Sequence, residues 1–114
     1  MIQTENFISD WLTGWNKHDL SSILAHYTDD FEMTSPAIVR VTGRPEGRLI
    51  GKVAVGAYWE MALARFPELN FKLISTFVGV NSVAINYVGV SGRTVVEVFH
   101  FNDAGLVERA HAFY

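Results

Sequence analysis

Apolar residues in the first part of the chain recur every three or four positions, the spacing of one helix face. The first predicted helix has Thr4 as its N-cap, and its apolar stripe is Phe7, Ile8, Trp11, Leu12 and Trp15. A second, shorter helix is predicted from its N-cap Asp19 to Tyr27, and the two aspartates at 29–30 end it. The pattern therefore predicts two helices ahead of the first strand.

The middle of the chain predicts a strand, an irregular segment and a helix. Residues 31–35 alternate and stop at Pro36, which is typical of a short strand. Residues 37–50 contain two glycines and a proline, so we predict an irregular segment, either a connecting loop or a lid. Residues 51–65 carry an apolar side that predicts a third helix, which Pro67 terminates.

The part after Pro67 predicts a meander of four strands, over residues 69–80, 82–90, 94–101 and 106–114. Ser91-Gly92 is typical of a two-residue hairpin turn, which would place Asn86 directly opposite Glu97. Helices first and antiparallel strands afterwards indicate the α+β class.

The strand over residues 94–101 is apolar on both faces. One face carries Val95, Glu97, Phe99 and Phe101, and the other carries Val96, Val98 and His100. A sheet face that meets water is normally polar, so we expect one face to cover the helices and the other to meet a second copy of the chain. A homodimer is therefore predicted, with Val96, Val98, His100 and His111 near the contact.

Composition narrows the class of protein. The 114 residues suit one domain, 1–114, and 49% hydrophobic and 13% aromatic residues are enough to fill a core and to line a cavity. The net charge of −3, without a basic run, argues against nucleic acid as a partner. No apolar run is long enough for a membrane span, and residues 1–6 show no export signal, so a cytoplasmic protein without a membrane partner is expected.

Three segments resemble the nuclear-transport-factor-2-like superfamily, the fold of ketosteroid isomerases and SnoaL-like polyketide cyclases. They are residues 15–31, Ser35-Pro36, and residues 96–107 with the ending 111–114. The resemblance covers nearly the whole chain. It implies a curved antiparallel sheet wrapped around helices to form a cone-shaped pocket, but this fold hosts many chemistries.

The resemblance also assigns positions to the catalytic groups of the isomerases. Their general-base aspartate falls at Ser35, and a serine hydroxyl cannot accept a substrate proton near neutral pH without a base of its own. Their oxyanion-donating tyrosine falls at Trp11, whose indole donates one hydrogen bond in a poorly matched geometry. Their protonated aspartic acid falls at Glu97, so one acidic position is kept. This pattern disfavours steroid-type isomerisation.

Glu97 and Asn86 are the predicted catalytic residues. Apolar neighbours strip water from Glu97, and we assign Arg93 and Arg109 to the opposite face, so its pKa is expected to be raised. The alternative is a structural polar pair at a sheet edge or an interface.

Further residues are predicted to bind a substrate by lining the pocket, and small side chains at 110 and 112 would leave room for a ligand. They are Trp11, Trp15, Tyr27, Phe31, Ser35, Tyr58, Trp59, Phe99, Ala110, Ala112 and Tyr114. Core packing is the alternative for most of the aromatic residues, and Tyr27 and Tyr58 are the preferred donors to a ligand oxygen.

The sequence predicts neither a metal nor another cofactor. The four histidines lack paired ligand spacing with a carboxylate, cysteine is absent, and no glycine-rich phosphate loop or nucleophile elbow occurs.

Three functions remain open from the sequence. The first is an enzyme of isomerase, cyclase or dehydratase type that acts on a small, largely apolar, oxygen-bearing molecule. The second is a module that binds such a ligand without turnover, and the third is a dimeric interaction protein. Ser35 at the base position favours the last two, whereas Glu97 favours the first two.

Overall fold

The computed structural model describes residues 4–114; residues 1–3, part of the segment in which no export signal was predicted, lie outside the described residues. Three main helices and a short one accompany six strands. In chain order these are α1 (Thr4–Asn16), α2 (Leu20–Leu24), β1 (Tyr27–Thr34), α3 (Pro36–Thr42), β2 (Arg48–Ile50), α4 (Lys52–Arg65), β3 (Lys72–Gly79), β4 (Ser82–Val88), β5 (Thr94–Phe101) and β6 (Val107–Phe113).

The six strands form one mixed, mostly antiparallel sheet in the order β2-β1-β6-β5-β4-β3. The four-strand meander and the α+β class are confirmed. One pairing is parallel, between β1 and β6, with Met33 opposite Ala110. This pairing brings the end of β1 beside the end of the chain, so Ser35 and Tyr114 come to the same region as Glu97 on β5.

Helix α1 packs its apolar stripe against the inner face of the meander, as its spacing predicted. Phe7, Ile8, Trp11 and Trp15 are buried, and the ring of Trp11 lies 5.3 Å from that of Phe99 on β5. Two further contacts fix the segment before β3 to the end of α1. The Asn16 side chain exchanges two hydrogen bonds with the backbone of Phe71, and the His18 ring bonds the carbonyl of Leu69.

The second helix is shorter than predicted. Asp19 caps it as expected, since its carboxylate accepts from the Ser22 N–H, but the helix ends at Leu24. Tyr27 begins β1 instead of ending the helix, and the two aspartates at 29–30 are strand residues. Both aspartates are exposed in this strand, so their charges remain hydrated and the strand continues through them.

The segment 37–50 is ordered, contrary to the prediction of an irregular stretch. Ser35 caps α3 by accepting from the Ile38 N–H, and Pro36 occupies the first turn, where its missing N–H costs nothing. Gly43, at φ 73°, ends the helix in a left-handed conformation that glycine adopts readily. Pro36 and Gly43 therefore mark the start and the end of α3.

The turn between β4 and β5 changes the predicted register by one residue. Five residues, 89–93, join the strands, and the Gly89 N–H bonds the Arg93 carbonyl. Glu97 consequently pairs with Ile85, and Asn86 pairs with Val96 on the outer face. Because a slip of one residue moves every side chain to the other face, the prediction that Asn86 faces Glu97 is wrong.

Candidate functional site

A cavity of about 280 Å³ lies between the inner face of the sheet and helices α1, α3 and α4. This volume is close to the lower end of the usual range for small-molecule sites, roughly 300–1,000 Å³. Most of its wall is apolar. Its lining residues are Trp11, Trp15, Met33, Ser35, Ala37, Arg40, Tyr58, Trp59, Ala62, Phe66, Leu69, Phe71, Tyr87, Gly89, Val90, Ser91, Arg93, Val95, Glu97, Ala112 and Tyr114.

Glu97 is the one acidic residue in this lining. It lies in the middle of β5, it is 3% exposed, and its partners in register are Ile85 and Ala112. Burial raises the pKa of Glu97 to about 7, and the hydrogen bond from Tyr87 opposes part of this rise. The carboxyl is therefore close to half protonated at neutral pH.

Tyr87 on β4 supports this carboxyl. Its hydroxyl donates a 2.8 Å hydrogen bond to Oε1 of Glu97. Burial raises the pKa of Tyr87 well above its ordinary value, and the charge of Glu97 raises it further. Tyr87 thus remains a donor at every physiological pH.

The structure brings eight of the predicted site residues to the cavity: Glu97, Trp11, Trp15, Ser35, Tyr58, Trp59, Ala112 and Tyr114. Five others lie elsewhere. Asn86 is on the outer face, and Tyr27, Phe31, Phe99 and Ala110 are packed in the core with at most 1% exposure. The four core residues fill space beneath the cavity and do not border it.

Tyr27 illustrates why a buried phenol does not have to serve a ligand. Its hydroxyl accepts a 2.9 Å hydrogen bond from Nε1 of Trp11, and its ring lies 4.3 Å from that of Phe31. The indole N–H of Trp11, at the position of the isomerase tyrosine, is likewise used inside the protein. Its ring lines the cavity, but its donor is already engaged.

Ser35 and Tyr58 lie together at another part of the wall. The Ser35 hydroxyl accepts from the Ile38 N–H as the cap of α3. Burial raises the pKa of Tyr58, and the Ser35 side chain and then the charge of Arg40 lower it in part. Of the predicted phenol donors, Tyr58 is the one that borders the cavity.

Four polar residues of the cavity lining were not predicted as site residues: Arg40, Tyr87, Arg93 and Ser91, the last of which was predicted only as a turn residue. Tyr87 was not among the predicted site residues, because the register error that brought Asn86 inward leaves residue 87 on the outer face. Arg93 was placed on the wrong face, although it has the same parity as Val95 and Glu97. Arg40 lies in the segment that was predicted to be irregular. The spacing of four residues between Ile38 and Thr42 was a signal that could have indicated a helix there.

Within residues 4–114 no group of three or more histidine, aspartate or glutamate side chains could hold a metal ion. No helix in this part of the chain has the length and apolar character needed to cross a lipid bilayer.

Comparison with known proteins shows the family. The sequence profile of the SnoaL-like domain matches residues 8–110. The chain is similar to a SnoaL-like protein of unknown function from Burkholderia thailandensis, at 52% identity and a TM-score of 0.94 over 96% of this chain and 92% of that one.

More distant structures share the fold. IdmH from Streptomyces antibioticus, a proposed polyketide cyclase, has 17% identity and a TM-score of 0.79 over 97% of this chain and 91% of its own. An NTF2-like protein of unknown function from Cytophaga hutchinsonii has 16% identity and a TM-score of 0.72 over 99% and 90%. No curated protein matches the chain significantly. The resemblance inferred from the sequence is confirmed, and the chain belongs to the SnoaL-like domain family with an NTF2-like fold.

Proposed function

We propose that the protein binds a small, largely apolar molecule that carries an oxygen atom, and that Glu97 acts on this oxygen as an acid. The observation that carries the proposal is a buried carboxyl in a cavity whose wall is mostly apolar. With a pKa of about 7, this carboxyl supplies a proton at neutral pH. Buried among apolar side chains, such a donor stabilises negative charge that develops on a carbonyl oxygen.

The hydrogen bond from Tyr87 gives the carboxyl a defined orientation. Because the phenol donates to Oε1, the proton of the neutral acid belongs on Oε2, which is then the donor to a ligand. Tyr58 adds a second hydroxyl on the cavity wall. This arrangement suits isomerase-, cyclase- or dehydratase-type steps that begin with polarisation of a carbonyl or hydroxyl group.

A second candidate function is ligand binding without turnover. The observation that favours it is Ser35, whose hydroxyl caps α3 and which replaces the general base of the isomerases. Apart from Glu97, the charged residues of the cavity lining are the arginines Arg40 and Arg93. Because the lining formed by residues 4–114 contains no second carboxyl, Glu97 would have to act as both acid and base.

The two candidates differ in proton exchange with an enolisable ketone. We choose 2-tetralone, an apolar two-ring ketone, and follow its thermal stabilisation of the protein and the replacement of its α-hydrogens by deuterium in NMR spectra. The enzyme hypothesis expects both effects in the wild type, with exchange lost in Glu97→Gln and kept in Glu60→Gln, an exposed control on α4. Stabilisation without exchange supports the binding module. Absence of stabilisation for 2-tetralone and related ketones contradicts both.

The predicted homodimer remains part of the proposal. The outer face of the sheet, defined by Phe77, Ala84, Asn86, Val96, Val98, His100, His111 and Phe113, carries a run of apolar side chains. Phe77 is 65% exposed and Phe113 is 56% exposed, and the Asn86 amide oxygen has no hydrogen-bond partner among residues 4–114. A second copy placed on this face would bury the apolar surface, which supports the dimer.

A further inference from the structure

Two arginines border the open end of the cavity. Arg40 lies on α3, Arg93 directly precedes β5, and both are exposed, whereas Glu97 is buried at the inner end. Their guanidinium carbons lie 5.8 Å and 5.0 Å from the centroid of the same ring, that of Tyr114. Residues from three separate parts of the chain therefore converge at the cavity entrance.

Neither arginine forms a close ion pair with a side-chain carboxylate among residues 4–114. The ion pairs found there are Arg48 with Glu32 and Lys52 with Asp29, and both lie outside the cavity lining. Glu97 carries only part of a charge at neutral pH. In a chain whose net charge is −3, the cavity entrance thus brings together two positively charged side chains.

Contact with the face of the Tyr114 ring does not use the N–H groups of either arginine as hydrogen-bond donors. The N–H groups of a guanidinium point outward in the plane of the guanidinium itself, so a guanidinium that lies over an aromatic ring can still form paired bonds to a carboxylate. The Tyr114 hydroxyl is held by the Ala37 N–H at 3.0 Å, which fixes the ring on which the arginines lie. The influence of Arg40 also reaches the cavity, since its charge lowers the pKa of Tyr58.

We propose that the natural ligand is an amphiphilic acid whose carboxylate is bound by Arg40 and Arg93 at the entrance while its apolar body fills the cavity. Its oxygen-bearing end then reaches Glu97 and Tyr87. This inference rests on the proposed function and adds to it the chemical class of the ligand. It also assigns a direction of binding, with the charged end outward.

A matched pair of ligands tests the proposal. 2-Naphthol supplies an apolar body and one oxygen, and 6-hydroxy-2-naphthoate adds a carboxylate at the far end of the same ring system. Dissociation constants for both are measured by fluorescence at low salt with the wild type, Arg40→Gln, Arg93→Gln and the control Arg44→Gln. Arg44 is exposed, belongs to the same region and is absent from the cavity lining, so its substitution changes the net charge alone.

The carboxylate should improve affinity for the wild type by about three- to tenfold, a size set by two exposed charge pairs, and salt should reduce the gain. Arg40→Gln and Arg93→Gln should each remove much of the gain, whereas Arg44→Gln should keep it. Equal binding of both ligands to the wild type overturns the carboxylate site and leaves the proposed function standing. If Arg44→Gln loses as much of the gain as the other two variants, the carboxylate site is overturned as well. If neither ligand binds, the result counts against the proposed function itself.

Discussion

The hydroxyl of Tyr87 lies 2.8 Å from Oε1 of Glu97, across a diagonal between β4 and β5. In register, Glu97 faces Ile85 and Tyr87 faces Val95, so the two polar side chains meet inside an apolar surface. The hydrogen bond satisfies one carboxyl oxygen without supplying a positive charge. Burial consequently outweighs it, and the pKa of Glu97 is raised to about 7.

This raised pKa predicts that stability falls as the pH rises. The unfolded chain releases the Glu97 proton near pH 4.5, whereas the folded protein retains it to about pH 7. The favourable contribution is complete below pH 4.5 and is lost as the pH rises through 7, by about 3 kcal/mol in total. Urea unfolding of the wild type and Glu97→Gln should show this difference between their free energies of unfolding.

The comparison with Glu97→Gln isolates one group. His26 and His100, whose pKa values are lowered by burial, titrate in both proteins, and their effects cancel in the difference. Parallel stability profiles from pH 4.5 to about 8 would show that the folded protein does not raise the pKa of Glu97.

Removal of the Tyr87 hydroxyl should raise the pKa of Glu97 further. The bond from Tyr87 is the interaction that lowers this pKa, so Tyr87→Phe leaves burial unopposed. The variant should also lose about 1–2 kcal/mol of stability because a buried acceptor loses its donor. Carbon-detected NMR titration of the Glu97 carboxyl measures the shift. Tyr114→Phe, which removes a hydroxyl bonded to the Ala37 N–H, should leave the titration unchanged.

Hydrophobic spacing was sufficient to predict the main elements. The stripe from Phe7 to Trp15 predicted α1, and the strand predicted over residues 94–101 matched β5 (Thr94–Phe101). These patterns are long, and burial of one face enforces them. The same pattern identified Glu97 as a buried acid, because Val95 and Phe99 on the same face of the strand are apolar.

The site was predicted less well because its polar groups depend on a turn. Ser91 and Gly92 both have positive φ, as in a tight hairpin, but the loop is five residues long and not two. Such a dipeptide marks a turn without fixing its length. The resulting shift of one residue exchanged Asn86 for Tyr87, so the partner of the acid could not be found from the alternation alone.

The proposed dimer predicts that one charge on the outer face changes the oligomeric state. Val96 lies in this face and is 40% exposed, and a glutamate there would be buried against a second copy. The wild type should sediment as a dimer at micromolar concentration, and Val96→Glu should sediment as a monomer. Val53→Glu, at a position that is 90% exposed on α4, should remain dimeric. A monomeric wild type would remove the outer face as an interface.

Two alanines on β6 provide the sharpest test of where the cavity is. Ala110 and Ala112 share one face of the strand, but Ala110 is fully buried opposite Phe99, whereas Ala112 lies opposite Glu97 and borders the cavity. Ala110→Leu has no free space and should cost at least about 1–3 kcal/mol through overpacking. Ala112→Leu can extend into the cavity, so it should change the free energy of unfolding by less than about 1 kcal/mol. It should also weaken 2-naphthol binding at least tenfold, because the side chain occupies ligand space.

Urea unfolding and fluorescence titration measure the two effects. An Ala112→Leu protein that is as unstable as Ala110→Leu would mean that the space beside Glu97 is already filled, and unimpaired naphthol binding would place the ligand elsewhere.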